Sequence, residues 1–360
     1  MPCQPKTTRQ PISRPLSAST VGARSLNTRR AFTLVELMIA TTLGLLMVLA
    51  ATRLFIASHT IYLTQDDAIR IHDTARFAIE TIDRSVALAG FAEPGVMQSV
   101  DRSVASAVAP IAGLDNRSLK STTPAIQSSV TQAVNGSDVL ALHFAGSGAG
   151  DEGDGSITNC AGFSVGRADP AEDRPDRGWS IFYVARDHTG EPELYCKYRG
   201  KHAWATTAIA RGVESFQVLY GVGQTADSIP IHFLNASQID RLDSNLSLFG
   251  DTQEARHKEA LNQSYWKKIS QIKIALIVRG TLAVRGDKPT QRWNLFGDAY
   301  TTAYGNSDPG VHIDEADLPA ATRHRLRKLF RANFQLRNVP ASTAPAASAP
   351  APVVDAASAS

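Results

Sequence analysis

The chain has 360 residues, enough for one large or two modest domains with a true core, and its composition is that of an ordinary globular protein. Its 37 basic and 34 acidic residues give a formal charge of +3, but residues 1–30 hold six of the cations (Lys6, Arg9, Arg14, Arg24, Arg29 and Arg30) and no acid. The remainder is net acidic, so the basic balance belongs to a targeting leader and gives no support to a nucleic-acid partner.

Residues 1–31 read as that leader. From Phe32 to Thr52 the only charge is Glu36. At about 1.5 Å per residue, residues 32–52 cover about 31 Å, the thickness of a bilayer core. Positive charge before this segment and Asp66 and Asp67 after it predict a cytoplasmic N-terminus with the rest of the chain across the membrane. A secretory signal peptide is shorter and uncharged. A twin-arginine export signal would use Thr28-Arg29-Arg30-Ala31-Phe32. A plain anchor needs only the apolar run. None of the three accounts for Glu36, because a carboxylate at membrane depth is costly and calls for a partner or a function.

The stretch Arg30-Ala31-Phe32-Thr33-Leu34-Val35-Glu36-Leu37 resembles the class III signal of type IV prepilins. The resemblance implies that a prepilin peptidase cuts between Ala31 and Phe32 and methylates the new Phe32 amine, leaving Glu36 as the fifth residue of the mature chain. Two features depart from the family pattern: Ala31 stands where glycine is usual, and the leader is long. A terminal amine titrates near 8 and is mostly cationic at neutral pH. In an apolar helical bundle it needs a counter-charge, and Glu36 of the same or a neighbouring helix supplies one. At 4 Å and an effective dielectric of 20 the attraction is about 4 kcal/mol before desolvation. Its main use is register, since a misplaced subunit leaves both charges unpaired.

The helix continues past the membrane. No proline occurs between Pro15 and Pro94. Ile61, Ala68, Ile71, Ala75, Ala78, Ile82, Val86 and Ala89 recur at helical spacing, and Arg53, Asp66, Asp67, Arg70, Asp73, Arg76 and Arg84 form the wet side. Gly90 and Pro94 end the pattern, so one helix is expected over residues 32–90. The alternative is an anchor joined to a separate soluble helix. Thr74 to Glu80 and Leu88-Ala89-Gly90-Phe91 resemble the helix end of PilW-type minor pilins.

Residues 91–135 read as a long connecting loop with some short structure, and 136–338 as a β-sheet head with a polar insertion at 225–265. Expected strands are Asp138 to Ala145, Trp179 to Ala185, Glu193 to Tyr198, Val213 to Tyr220, Ile272 to Val278 and Phe330 to Leu336. The second and third suggest a hairpin, and the fifth is apolar on both faces, as a central strand is. Residues 286–320 look irregular. Residues 339–360, almost all Ala, Ser and Pro, read as disordered. The expected fold is α+β: one long N-terminal helix, its first half transmembrane, packed on a mainly antiparallel sheet. Val213 to Gly221, Ile272 to Arg279 and Leu336-Arg337-Asn338 resemble PilW-type heads, more weakly than the N-terminus resembles a prepilin.

Once the leader is removed, Cys160 and Cys196 remain, either as free thiols or as a disulfide if the head is exported. A bridge would close a loop of about 37 residues and stabilise by roughly 4 kcal/mol. Gly162-Phe163-Ser164-Val165-Gly166 matches the serine-hydrolase elbow in letters, but residues 167–178 contain Pro170 and Pro175 and read as loop rather than helix. Gly146-Ser147-Gly148-Ala149-Gly150 precedes Asp151, Glu152 and Asp154, the wrong charge for phosphate and the wrong spacing for a calcium loop. No histidine or cysteine has metal spacing. Arg323 to Arg337 carries five arginines and Lys328, read as a solvated strand face rather than a DNA patch.

The sequence therefore describes a protein with no enzyme activity, no metal and no cofactor. Resemblance implies a minor pilin that passes once through the inner membrane with a periplasmic head, joins other minor and major pilins, helps assemble type IV pili and reaches the pilus at the cell surface. A type II secretion pseudopilin and an exported protein with a twin-arginine signal are the alternatives.

Overall fold

The computed structural model describes residues 32–92, 109–127, 129–130, 133–167, 178–223, 232–283 and 290–338. The predicted leader and the Ala/Ser/Pro tail lie outside these residues. The chain divides into two units, one ending at Ser58 and one beginning at His59. Helix α1 (Leu34–Leu88) contributes to both.

In the first unit every side chain from Phe32 to Ser58 is exposed, including Leu45, Met47 and Phe55. The hydroxyls of Thr41, Thr42 and Thr52 donate to the carbonyls of Met38, Ile39 and Val48 at 2.9, 2.9 and 2.8 Å. An apolar helix that hides its hydroxyls on its own backbone suits a lipid environment, where an unpaired polar group is costly.

In the second unit the helix buries Ile71, Ala75, Ala78, Ile82, Val86 and Ala89, as the periodicity predicts. Two assignments are corrected. Ile61 is exposed. Asp67, placed on the wet side, is 1% exposed, and its carboxylate accepts from the amide and hydroxyl of Thr281 at 3.0 and 3.3 Å. The helix ends at Gly90, whose φ of +73° is left-handed. Asn338 seals the end, donating to the carbonyls of Ala87 and Ala89. A side chain at Gly90 would collide with the Asn338 carbonyl.

The head holds β1 (Ile111–Leu114), β2 (Ser118–Leu119), β3 (Ser129–Val130), β4 (Val139–His143), β5 (Trp179–Arg186), β6 (Pro192–Arg199), β7 (Trp204–Arg211), β8 (Val213–Val222) and β9 (His232–Leu234). Then come α2 (Ala236–Ser244), α3 (Gln253–Gln263), β10 (Ile269–Arg279), β11 (Arg292–Asn294), α4 (Asp298–Tyr304), β12 (His312–Asp314), α5 (Ala320–Arg323) and β13 (Arg327–Gln335). One sheet has the order β1-β4-β5-β6-β7 and the other β13-β10-β8-β9, with every pairing antiparallel. The β5–β6 hairpin and the central position of β10 agree with the sequence.

One core joins the inner face of α1 to both sheets, through Leu140, Leu142 and Phe182 of the first and Phe216, Ile274 and Leu276 of the second. Each sheet is also covered behind. Val139, Ala141 and Ile181 pack with Leu119 and Trp204. Ala275 and Ile277 pack with Trp293, Leu295 and Ile313. This double coverage explains the burial of β4, β5, β8 and β10 on both faces.

It also gives two expected irregular stretches their places in the fold. The predicted loop 91–135 contains β1, a full member of the first sheet. The irregular stretch 286–320 contains the β11–β12 ribbon and α4, held by Trp293 and Ile313 on the back of β10. The polar insertion contains β9, α2 and α3. Asn235 and Gln238 form a reciprocal capping box at the start of α2.

Candidate functional site

Ala31 lies outside the described residues. Phe32 is 87% exposed. Glu36 is not idle in the isolated helix. Its Oε2 accepts from the Thr33 amide at 2.9 Å and from the Thr33 hydroxyl at 3.1 Å, and the Glu36 amide donates back to Thr33 Oγ1 at 3.2 Å. Thr33-Leu34-Val35-Glu36 is thus a capping box that satisfies orphan donors at the start of α1. The Thr-x-x-Glu spacing is plain in the sequence, but the membrane-depth charge of Glu36 masks it, and the cap is a role the charge argument alone misses.

Cys160 and Cys196 form a disulfide with Cα atoms 6.0 Å apart. Cys196 is fully buried on β6, while Cys160 sits in the loop after β4. The Cys160 amide donates to Ser180 Oγ, and Asn159 Oδ1 accepts from the amides of Ala161 and Phe163. Phe163 stacks on Tyr198 with centroids 5.1 Å apart. The bridge therefore pins a loop to the sheet.

The glycine run in that loop serves backbone packing. A side chain at Gly146 would strike the Val165 carbonyl, and one at Gly166 the Gly150 carbonyl. Asp154 accepts from Ser156 and Ser147, which lowers its pKa and spends its oxygens inside the loop. Ser164 forms an isolated bridge with Thr158, and Val165 to Arg167 continue without helix, so the strand–turn–helix of a nucleophile elbow is not built there.

The C-terminal cations are mostly consumed internally. Arg327 is buried and pairs with Glu214, which also receives Arg279 at 2.6 Å. Glu191 receives Arg279 and Arg325. Arg323 donates to the carbonyls of Ala316 and Leu318, and Arg331 to those of Asn294 and Leu295. Lys328 contacts His72. The solvated-face reading is thereby corrected at Arg327 and Arg325. The sequence could not show this, because Glu191 and Glu214 lie far from them in the chain.

Several carboxyls and one lysine sit in strongly perturbing surroundings. Burial pushes Asp138 well above the usual carboxylate range, and nearby Asp115 adds to it, although the amides of Asn116 and Val218 donate to Asp138. Burial raises Asp308 to about 6, where it accepts from the Tyr300 hydroxyl at 2.8 Å. Burial lowers Lys197 to about 8. Its ammonium donates to the Lys120 carbonyl at 2.8 Å and faces the Trp204 ring. Among the described residues no group of His, Cys, Asp and Glu is arranged to hold a metal.

The family profile of type IV pilus-assembly protein W matches residues 181–338, which run from β5 to the strand that closes the head. A second profile, the prokaryotic N-terminal methylation motif, matches residues 26–52. The chain is a PilW-like type IV pilin. A type IV-like pilin from Thermus thermophilus aligns over 75% of this chain and 97% of its own at 16% identity, with a TM-score of 0.34, too distant for residue-level comparison. No curated protein matches significantly.

In this PilW-like pilin the two matches fall on the two regions with specialised chemistry. The methylation motif covers the capping box and the apolar helix. The pilus-assembly match covers Cys196, the buried ion pairs and most of both sheets. Pilins are structural proteins.

Proposed function

We propose that the chain is a minor pilin, cut between Ala31 and Phe32 by prepilin peptidase, methylated at Phe32, and incorporated with other minor and major pilins during type IV pilus assembly, in support of motility and adhesion. The observation that carries this reading is Glu36, five residues into the expected mature chain and the sole charge in the exposed apolar stretch from Phe32 to Thr52. Glu36 Oε2 is held by Thr33, which leaves Oε1 for the Phe32 amine of the same or a neighbouring subunit. The head then lies in the periplasm, where Cys160–Cys196 is stable, and later at the cell surface. The continuity of α1 to Leu88 supports this reading over conventional export, which would break the helix at a cleavage site.

Mass spectrometry of the mature protein tests it. A chain beginning at N-methylated Phe32 is the expected result, and retention of residues 1–31 overturns the reading. In a deletion strain, surface pili should be lost. Lost type II secretion with pili intact would instead assign the chain to a pseudopilin.

A further inference from the structure

Four strands form the ends of the two main sheets, and three are protected. β1 has four residues and β9 three. β13 carries Arg327, Lys328 and Arg331. β7 is different. It has eight residues and, from Trp204 to Ala210, neither a charge nor a proline. Exposed edges invite pairing with another chain, and native proteins blunt them with shortness, charge or proline.

The register shows which groups are free. The Asp187 amide donates to the Glu191 carbonyl at the β5–β6 turn, and the Gly200 amide to the Ala203 carbonyl at the β6–β7 turn. Tyr198 pairs with Ala205 and Cys196 with Thr207. Antiparallel alternation then directs the amide and carbonyl of Ala205 and Thr207 into β6, and those of Trp204, Thr206 and Ala208 away from it. Among the described residues these outward groups meet no backbone partner. The register shift beside Tyr195 falls just past Ala208, so the straight free run is Trp204 to Ala208, about 17 Å at about 3.4 Å per residue.

We propose that the β7 edge receives an extended, uncharged segment of a different polypeptide, added to the sheet as a sixth strand along Trp204, Thr206 and Ala208. A row of outward amides and carbonyls at strand spacing is complemented by another extended backbone. The uncharged run selects an uncharged segment. A second copy of this chain is the competing occupant: the antiparallel register that pairs all three outward residues sets Lys201 opposite Arg211, whose guanidinium is already held by Asp187 and Glu193. The assembly reading supplies only the source of the partner, another pilus component. The edge itself does not depend on that reading.

Thr206→Pro removes an outward amide and leaves the β6 ladder intact, as proline is tolerated where the N–H faces solvent. Thr207→Pro breaks the ladder and is the folding control. Hydrogen exchange is measured on the full-length protein in membranes of piliated cells and after purification in detergent. Thr206 and Ala208 are expected to exchange at least about tenfold more slowly in the membranes. Thr206→Pro should abolish that protection and surface pili while the melting temperature and the disulfide persist. If it fails to fold, Ala208→Lys takes its place.

Equal exchange in the two settings, or normal piliation with a folded edge variant, overturns the proposal. Protection in the purified protein together with a dimer mass overturns the named partner in favour of a second copy. An unprocessed N-terminus with a protected edge would sink the minor-pilin reading and leave the edge standing.

Discussion

Glu36 lies in the apolar stretch that ends at Ser58, and Glu214 lies on β8 inside the head. Both carboxylates have apolar neighbours, and each is satisfied in its own way. Glu36 takes its partner from three residues back, the amide and hydroxyl of Thr33. Glu214 takes Arg279 and Arg327, which lie 65 and 113 residues further along the chain. A local partner survives outside any tertiary structure and leaves the acid able to meet a second cation. Remote partners exist only in the folded head, and they lock β8, β10 and β13 in register. The first arrangement suits a subunit that must change neighbours, and the second a head that must not.

The largest expected effect comes from removing the charge at Glu36. Glu36→Val should leave cleavage at Phe32 intact and reduce surface pili to background, counted by electron microscopy beside mass spectrometry of the mature chain. Glu36→Gln keeps an acceptor for Thr33 and removes only the charge. Normal pili in the glutamine variant would show that capping, not ion pairing, is the function of this residue, and the contrast with Glu214 would vanish.

Glu214→Ala comes next. It takes Glu214 from the buried Arg327 and leaves Arg279 with Glu191 alone, and breaking a buried pair costs about 3–5 kcal/mol. Denaturant unfolding of the full-length protein in detergent measures it. A loss below about 1 kcal/mol would mean that the network adds little beyond an exposed ion pair.

The same contrast explains how much of the molecule is legible in its sequence. The buried face of α1, the β5–β6 hairpin and the central position of β10 reflect periodicity, a local property. The Cys160–Cys196 candidate needs only a count of cysteines. Asp67 reads as a wet-side residue because its partner, Thr281, is contributed by a loop 214 residues away. β7 escapes notice because Ala205 to Ala210 is too small and too mild to announce a strand, and it is one only because β6 lies beside it. β11 and β12, three residues each, owe their place to Trp293 and Ile313 covering β10. At the N-terminus the opposite holds: everything Thr33 and Glu36 need lies within one turn.

Asp308 offers a third solution, a carboxyl that holds its proton up to about pH 6. Burial raises it to about 6, while Tyr300 and Asn235 donate to it and partly oppose the rise. Its second oxygen, Oδ1, is buried and has no hydrogen-bond partner among the described residues. The native state therefore holds this proton more tightly than the unfolded chain does. The associated stability is present below about pH 4 and is lost as pH rises through about 6, a change of about 3 kcal/mol. Asp308→Asn should remove that slope, seen as the wild-type minus variant difference in unfolding free energy from pH 4 to 7. A difference that stays flat would mean Asp308 is ionised in the fold, making it another Glu214 that lacks its arginines.

The smallest effect isolates the cap from the charge. Thr33→Ala removes the hydroxyl that accepts from the Glu36 amide and donates to its carboxylate, while the Thr33 backbone amide stays in place. Losing such a cap costs about 1 kcal/mol of helix stability. That is enough to fray the first turn and too little to disturb the head, so amides near Glu36 should exchange about fivefold faster in detergent while the head's melting temperature is unchanged. Thr33→Ser should restore the slower rate. The informative comparison is piliation. If Glu36 acts through its charge, Thr33→Ala still assembles, because Glu36 can meet an incoming amine without the cap. If the cap sets the orientation in which Oε1 faces that amine, Thr33→Ala assembles poorly even though every charge is present.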